Sequence, residues 1–506
     1  MSRSLRLGLC ALCCGLLPSG CAGRPGSATR EEIPIPAAST AAIALPEPEI
    51  LELSNGLEVW LLHSDHVPLV EASLIVRSGS ASDPKGKEGL LSLAMDMMDE
   101  GTGKLSSIEL ADEIQFLGAS LDLSTGKDYS SIELKVLQRN FPTALGLFAD
   151  ILLRPSFSDE DWARVKRLTL NDLKQREERP TSVARVVGDR LYYGDEHPYA
   201  HPEDGYLHSV DGITLAEIRK THNRLFHPGN SVLLITGDFE PAALRQELER
   251  RFAGWKGPAA GIPAKARHSA PLARQRLVVV DKPGAAQTVI RIYLPGKAYE
   301  SPAAPHLALA NTIFGGTFTS RLNSNLREGK KITYGARSAL ASRRLWGHLV
   351  ASSSVESGAT ALGISEFFRE FQEMARGTLR KGELRKAAST QRSRLIESLQ
   401  TQAGLLGIYS NAAALNLEPM ERRAFYAAME AAGENDLEEI SKKIYRWRKA
   451  LVVLVGDRGV INQAIEELRK NGRARGGAPL AGFQLAPAEH FSREGLAEPA
   501  SSDPKK

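Results

Sequence analysis

Two stretches of this chain follow the same plan, and a chain that repeats itself on this scale can fold in few ways. Residues 215–224 carry a helical apolar spacing and feed the run SVLLITGDFE, which leads into PAALRQELERRF. Residues 437–446 do the same for ALVVLVGDRG and VINQAIEELRK. Their Gly-Asp steps end at Asp238 and Asp457, 219 residues apart. The pair of long helices expected over 141–152 and 158–178 is mirrored by 360–376 and 381–400. Several matches in one order argue for a duplicated unit of about 200 residues, an ordinary domain size. The expected fold class is therefore α+β, with two homologous domains.

The remaining segments divide around that repeat. Residues 1–21 open with Arg3 and Arg6, continue through an apolar run from Leu7 to Leu17, and end in Ser19-Gly20-Cys21. That is the order of an export signal, too short to span a bilayer as a permanent helix. All four cysteines lie within it, so the 485 residues beyond contain none and no disulfide is available to them. Cleavage before Cys21 would resemble a bacterial lipoprotein with that cysteine acylated, although Pro18 stands where such signals usually place Leu; cleavage by an ordinary signal peptidase is the alternative. Residues 22–48 read as a flexible spacer, 49–256 as the first domain, 257–275 as a linker, 276–472 as the second domain and 473–506 as a disordered tail. The expected location is the periplasm of a Gram-negative bacterium, on an outer-membrane tether.

Charge adds an exclusion. Sixty-four basic against sixty acidic residues leave a net charge of +4, which exerts no overall pull toward nucleic acid. Chemistry has to be sought in local motifs. The stretch KEGLLSLAMDMMDEGT, from Lys87 to Thr102, is dense enough in apolar residues for a buried helix. Ser92, Met95 and Asp96 stand at i, i+3 and i+4 within it, a spacing that groups them on one side of such a helix.

This stretch resembles the active-site helix of the insulinase/pitrilysin/mitochondrial processing peptidase family, which enters through a "GKEGL"-like segment and exits before "GT". There the motif H-x-x-E-H supplies two imidazoles to one zinc and a carboxylate base to the attacking water. In register, Ser92 replaces the first histidine, Met95 the glutamate and Asp96 the second histidine. The family's third ligand, a glutamate, falls at Asp172. A hydroxyl is a poor zinc ligand and a thioether accepts no proton, so the expectation is no catalytic set and no metal bound by this chain. His197 and His201 are four apart, but Pro198 between them spoils a helical pairing.

The second half keeps more of the resemblance. FGGTFTSRLNSNLREGKKITYGARS, from Phe314 to Ser338, is similar to the family signature in which GG, SRL, LRE and Y follow one another in that order. The resemblance implies that Arg327 and Tyr334 contact the substrate backbone across a chamber, with Gly315 and Gly316 permitting close backbone approach. His197-Pro-Tyr and His227-Pro-x-Asn230 add further marks, and the similarity runs over roughly residues 51–470. It implies two mainly antiparallel sheets backed by helices and closing on that chamber. It also implies a non-catalytic subunit whose H-x-x-E-H partner brings the zinc, with a peptide as substrate. The alternative is a pseudopeptidase that binds peptides, or acts as a scaffold, with no catalytic assembly.

Overall fold

The structure is a computed structural model describing residues 43–257, 272–472, 477 and 485–498. Cys21, the export segment and most of the expected linker lie outside the described residues. In the first half, strands β1 (Glu49–Glu52), β2 (Glu58–His63) and β3 (Leu69–Val76) precede helices α1 (Leu90–Asp96) and α2 (Ser107–Phe116). Strands β4 (Ser120–Thr125) and β5 (Ser130–Leu137) follow, then α3 (Phe141–Leu153), α4 (Asp159–Glu178) and α5 (Pro180–Tyr193). Short α6 (Leu207–Asp211), α7 (Leu215–Leu225), β6 (Ser231–Gly237) and α8 (Pro241–Phe252) complete it.

The second half repeats this order. It runs β7 (Arg276–Asp281), β8 (Gln287–Pro295), α9 (Ala304–Phe314), α10 (Arg321–Asn323), a π-helical turn (Ser324–Gly329), β9 (Ala336–Ala341) and β10 (His348–Glu356). Helices α11 (Thr360–Ala375), α12 (Glu383–Leu399), α13 (Gln402–Leu415), α14 (Pro419–Ala431) and α15 (Glu434–Ile444) come next. The half closes with β11 (Leu451–Gly456), α16 (Arg458–Asn471) and β12 (Ala488–Phe491). The sheets run β1-β2-β6-β3-β5-β4 and β12-β7-β11-β8-β10-β9. In each, the strand ending in Gly-Asp lies parallel to the first long strand, β2 with β6 and β7 with β11. It lies antiparallel to the next, β3 or β8. The duplication expected from sequence is therefore a duplication of topology, in an α+β fold of two sheet-and-helix domains.

Both Gly-Asp strands are buried along their whole length. A strand apolar on both sides needs cover on both faces of its sheet. Alternation sends Leu233 and Ile235 of β6 into a core with α1, α3 and α8, and Val232 and Leu234 to the opposite face. That opposite face is covered by the other half: Leu405, Leu406, Tyr409 and Ala412 of α13 pack on Trp60, Leu62 and Ile75. The exchange is reciprocal. Val183, Ala184 and Val187 of α5, a first-half helix, pack on Val278, Val280, Tyr293 and Val453 of the second sheet. Gly188 makes this approach possible, since a Cβ there would fall 2.3 Å from the Tyr293 ring.

Two expectations are corrected. Residues 43–48 were expected in a flexible spacer, yet Leu45 is buried against α13 and its carbonyl accepts from Arg423 at 2.7 Å. Residues 485–498 were expected in a disordered tail, yet β12 pairs in parallel with β7, and the Arg276 guanidinium donates twice to Glu489, at 3.0 and 2.7 Å. In both cases contacts with the body of the fold hold a segment whose composition alone lacks a core.

Candidate functional site

The first candidate is the Lys87–Thr102 stretch. Its helix α1 is seven residues long, shorter than its apolar content suggests. Gly89 sits before it at φ 94°, in the left-handed region that glycine tolerates, and a Cβ there would lie 2.8 Å from the Asp204 carbonyl oxygen. Asp83 accepts from the backbone N–H of Gly89 at 2.9 Å and of Leu91 at 3.0 Å, covering donors that the helix leaves unsatisfied.

Ser92 is half-buried and Asp96 is exposed, whereas Met95 is buried in the first core. The expected grouping on one face is corrected here, because residues at i+3 and i+4 diverge by about 100° around the axis and only Met95 turns toward the core. Asp172, on α4, is also exposed. One hydroxyl, one thioether in the core and two carboxylates do not fit the zinc that H-x-x-E-H holds. Among the described residues, no three His, Cys, Asp or Glu side chains gather where they could hold a metal ion.

Asp96 is open to solvent on one side and crowded by protein on the others. That desolvation, then the charges of Asp99, Glu100 and Asp204, pushes its carboxyl up to about 7. Desolvation and Glu100 push Asp99 up to about 6. In register with the second imidazole of the resembled motif there thus stands one carboxyl, that of Asp96, whose charged form is disfavoured.

The second candidate is the Phe314–Ser338 stretch. Gly315 ends α9 and is buried, with its close approach made to β9, where a Cβ would lie 2.4 Å from Ser338 Oγ. Its expected place on the substrate surface is corrected to a packing role. Gly316 is half-buried, and its carbonyl accepts from Arg394 at 3.0 Å. The side chains beyond it point outward: Phe318 is 62% exposed, Arg327 40% and Tyr334 91%. The Arg327 guanidinium lies over the Phe318 ring, 4.6 Å from its centre, and pairs with Glu328 at 3.2 Å.

Outward as they point, these residues stand on a fixed frame. Arg321 donates to Glu383 at 2.7 Å from Nε and to the Thr378 carbonyl at 3.0 Å, tying α10 to the start of α12. Asn323 bridges the segment's ends, donating to the Phe318 carbonyl at 2.6 Å and accepting from Ala336 N–H at 3.0 Å. Beside Tyr334, Thr333 donates to the Ser354 carbonyl at 2.7 Å and Ser353 donates to the Gly335 carbonyl at 2.9 Å. An exposed guanidinium and phenol on a backbone held this way can donate to carbonyl oxygens of a bound chain with little reorganisation. Asn323 and Asn325 were not singled out in the sequence; the signal was only their place inside the signature.

Comparison with known proteins shows the family and the fold. Residues 58–193 match the family model described as insulinase (peptidase family M16), and residues 212–391 match that described as the peptidase M16 inactive domain. The chain belongs to the insulinase family, peptidase family M16. It is 22% identical over 380 residues to the zinc protease PqqE of Helicobacter pylori, covering 72% of this chain and 83% of that one. Its fold is similar to the crystal structure of a peptidase M16 inactive domain from Pseudomonas fluorescens, with TM-score 0.74, 23% identity, and coverage of 81% of this chain and 98% of that one. The crystal structure of a protease from Helicobacter pylori is similar at TM-score 0.75 and 18% identity, covering 82% of this chain and all of that one.

Proposed function

We propose that this chain is the non-catalytic subunit of a heterodimeric zinc metallopeptidase that hydrolyses peptides in the periplasm, tethered through an acylated Cys21. The observation that carries this reading is the contrast between its halves. The first has a core thioether where the base would stand. The second presents Arg327 and Tyr334 to solvent from a hydrogen-bonded frame. A surface built only for packing has no evident use for that frame. In this reading a family partner carrying H-x-x-E-H supplies metal, water and base, while Arg327 donates to a substrate carbonyl and Tyr334 to the developing oxyanion. Similarity to a zinc protease of Helicobacter pylori and to a peptidase M16 inactive domain is consistent with a partner peptidase subunit.

The test is an affinity pull-down of the tagged mature protein from its native envelope, with zinc and peptide cleavage assayed in the eluate. A one-to-one zinc-bearing relative is expected, with cleavage falling about tenfold or more in Arg327→Ala and in Tyr334→Phe. A zinc-free, inactive chain recovered alone would replace this reading with that of a peptide-binding lipoprotein.

A further inference from the structure

Arg327 sits inside the π-helical turn Ser324–Gly329, a geometry rarer and less well bonded than an α-helix. Such a turn needs support from outside itself. Asn325 lies near its start and Lys330 closes its end, where Lys330 N–H donates to the Asn325 carbonyl at 2.8 Å. Both side chains reach the same carboxylate. Asn325 Nδ2 donates to Glu366 Oε2 at 2.8 Å, and Lys330 Nζ lies 3.4 Å from Glu366 Oε1. Glu366 is 1% exposed, on a helix whose neighbouring Phe367, Phe368 and Phe371 are fully buried. Arg369 also pairs with it, at 2.5 Å. One turn further along α11, buried Glu370 accepts from Asn325 Nδ2 at 2.9 Å, with Arg369 and Arg380 at 3.7 and 4.0 Å.

A buried carboxylate is a poor choice for stability alone, because an apolar side chain of like volume usually does as well. What it offers is placement. The two anchors bracket Arg327 by two residues on one side and three on the other, so its Cα is fixed while its guanidinium stays outside. We propose that Glu366, acting through Asn325 and Lys330, is the positioning residue that aims Arg327 at a carbonyl of an extended peptide. Tyr334 is set separately, by Asn323, Thr333 and Ser353. The inference rests on the reading that Arg327 binds peptide.

The test is a double-mutant cycle on the full mature chain, read as fluorescence anisotropy of fluorescein-labelled casein peptides, with thermal melts beside it. Glu366→Gln and Asn325→Ala are each expected to weaken binding about three- to tenfold, by leaving Arg327 to be ordered on binding. That loss should vanish when Arg327 is already Ala and persist in full when Tyr334 is already Phe. An equal loss in the Arg327→Ala background, or none in the wild-type background, overturns the positioning role while leaving the binding site standing. No change in Arg327→Ala itself overturns the site and the positioning together. Should Glu366→Gln fail to fold, Asn325→Ala and Lys330→Met carry the same cycle.

Discussion

At the scale of single residues, Asp96 is the most informative. Its carboxyl holds a proton up to about 7, and that of Asp99 up to about 6, while an unfolded aspartate titrates near 4. The folded chain therefore binds more protons than the unfolded one between those values. The stability these groups contribute is greatest below about pH 4 and falls as pH rises through the folded values. Asp96→Asn is expected to raise the melting temperature at pH 8 and to leave it nearly unchanged at pH 4, which thermal melts at the two pH values would check. The same position argues against simple repair of the metal site. Replacing Ser92, Met95, Asp96 and Asp172 by His, Glu, His and Glu restores the donor types, but it puts a carboxylate where Met95 is 1% exposed in the core. We expect weak zinc binding from that quadruple variant and a lower melting temperature, measured by metal titration and calorimetry.

At the scale of elements, the exchanged helices matter most. Tyr409 of α13 is 1% exposed and meets Trp60 of β2 edge-on, with ring centres 6.3 Å apart. Tyr409→Ala should cost about 3–5 kcal/mol in denaturant unfolding. Hydrogen exchange should then quicken in β2, β3 and β6, the sheet it covers, before β7, β8 and β11 of its own half. On the other side, Gly188→Ala would drive a methyl group into the Tyr293 ring. That ring is fixed, since its hydroxyl donates to Asp189 at 2.8 Å and accepts from Arg291 at 2.7 Å. A loss of about 1–3 kcal/mol is expected from the overpacking. Neither α5 nor α13 was among the helices expected from sequence. For α5 a signal existed, since Pro180 at its first position suits a helix start and Val183, Val186 and Val187 have the right spacing. What no spacing could reveal is which sheet that face would meet.

At the scale of the molecule, the described residues from 43 onward form one compact unit in spite of the duplication. Each half leaves one face of its sheet for the other half to cover, so neither has a complete core alone. Residues 1–257 and 258–506 produced as separate chains are each expected to aggregate, and to copurify as a folded pair when produced together, which size-exclusion chromatography would check. The C-terminal segment adds a further tie, since Arg493 pairs with Glu178 of α4 at 2.6 Å and Arg190 of α5 donates to the Glu494 carbonyl at 2.9 Å.

The repeat, the α+β class and the replacement of the zinc-binding donors are all legible in the residues alone. Apolar runs ending in Gly-Asp, and Ser, Met and Asp in place of His, Glu and His, are properties of local residue types. Arg327 and Tyr334 are legible there too, because their signature is contiguous. That Met95 faces the core, that Gly315 packs against Ser338, that residues 485–498 add a strand, and that each half covers the other's sheet emerge only from the folded chain. These depend on contacts between residues far apart in the chain, some more than 300 positions distant, and an apolar face carries no record of the partner it will meet.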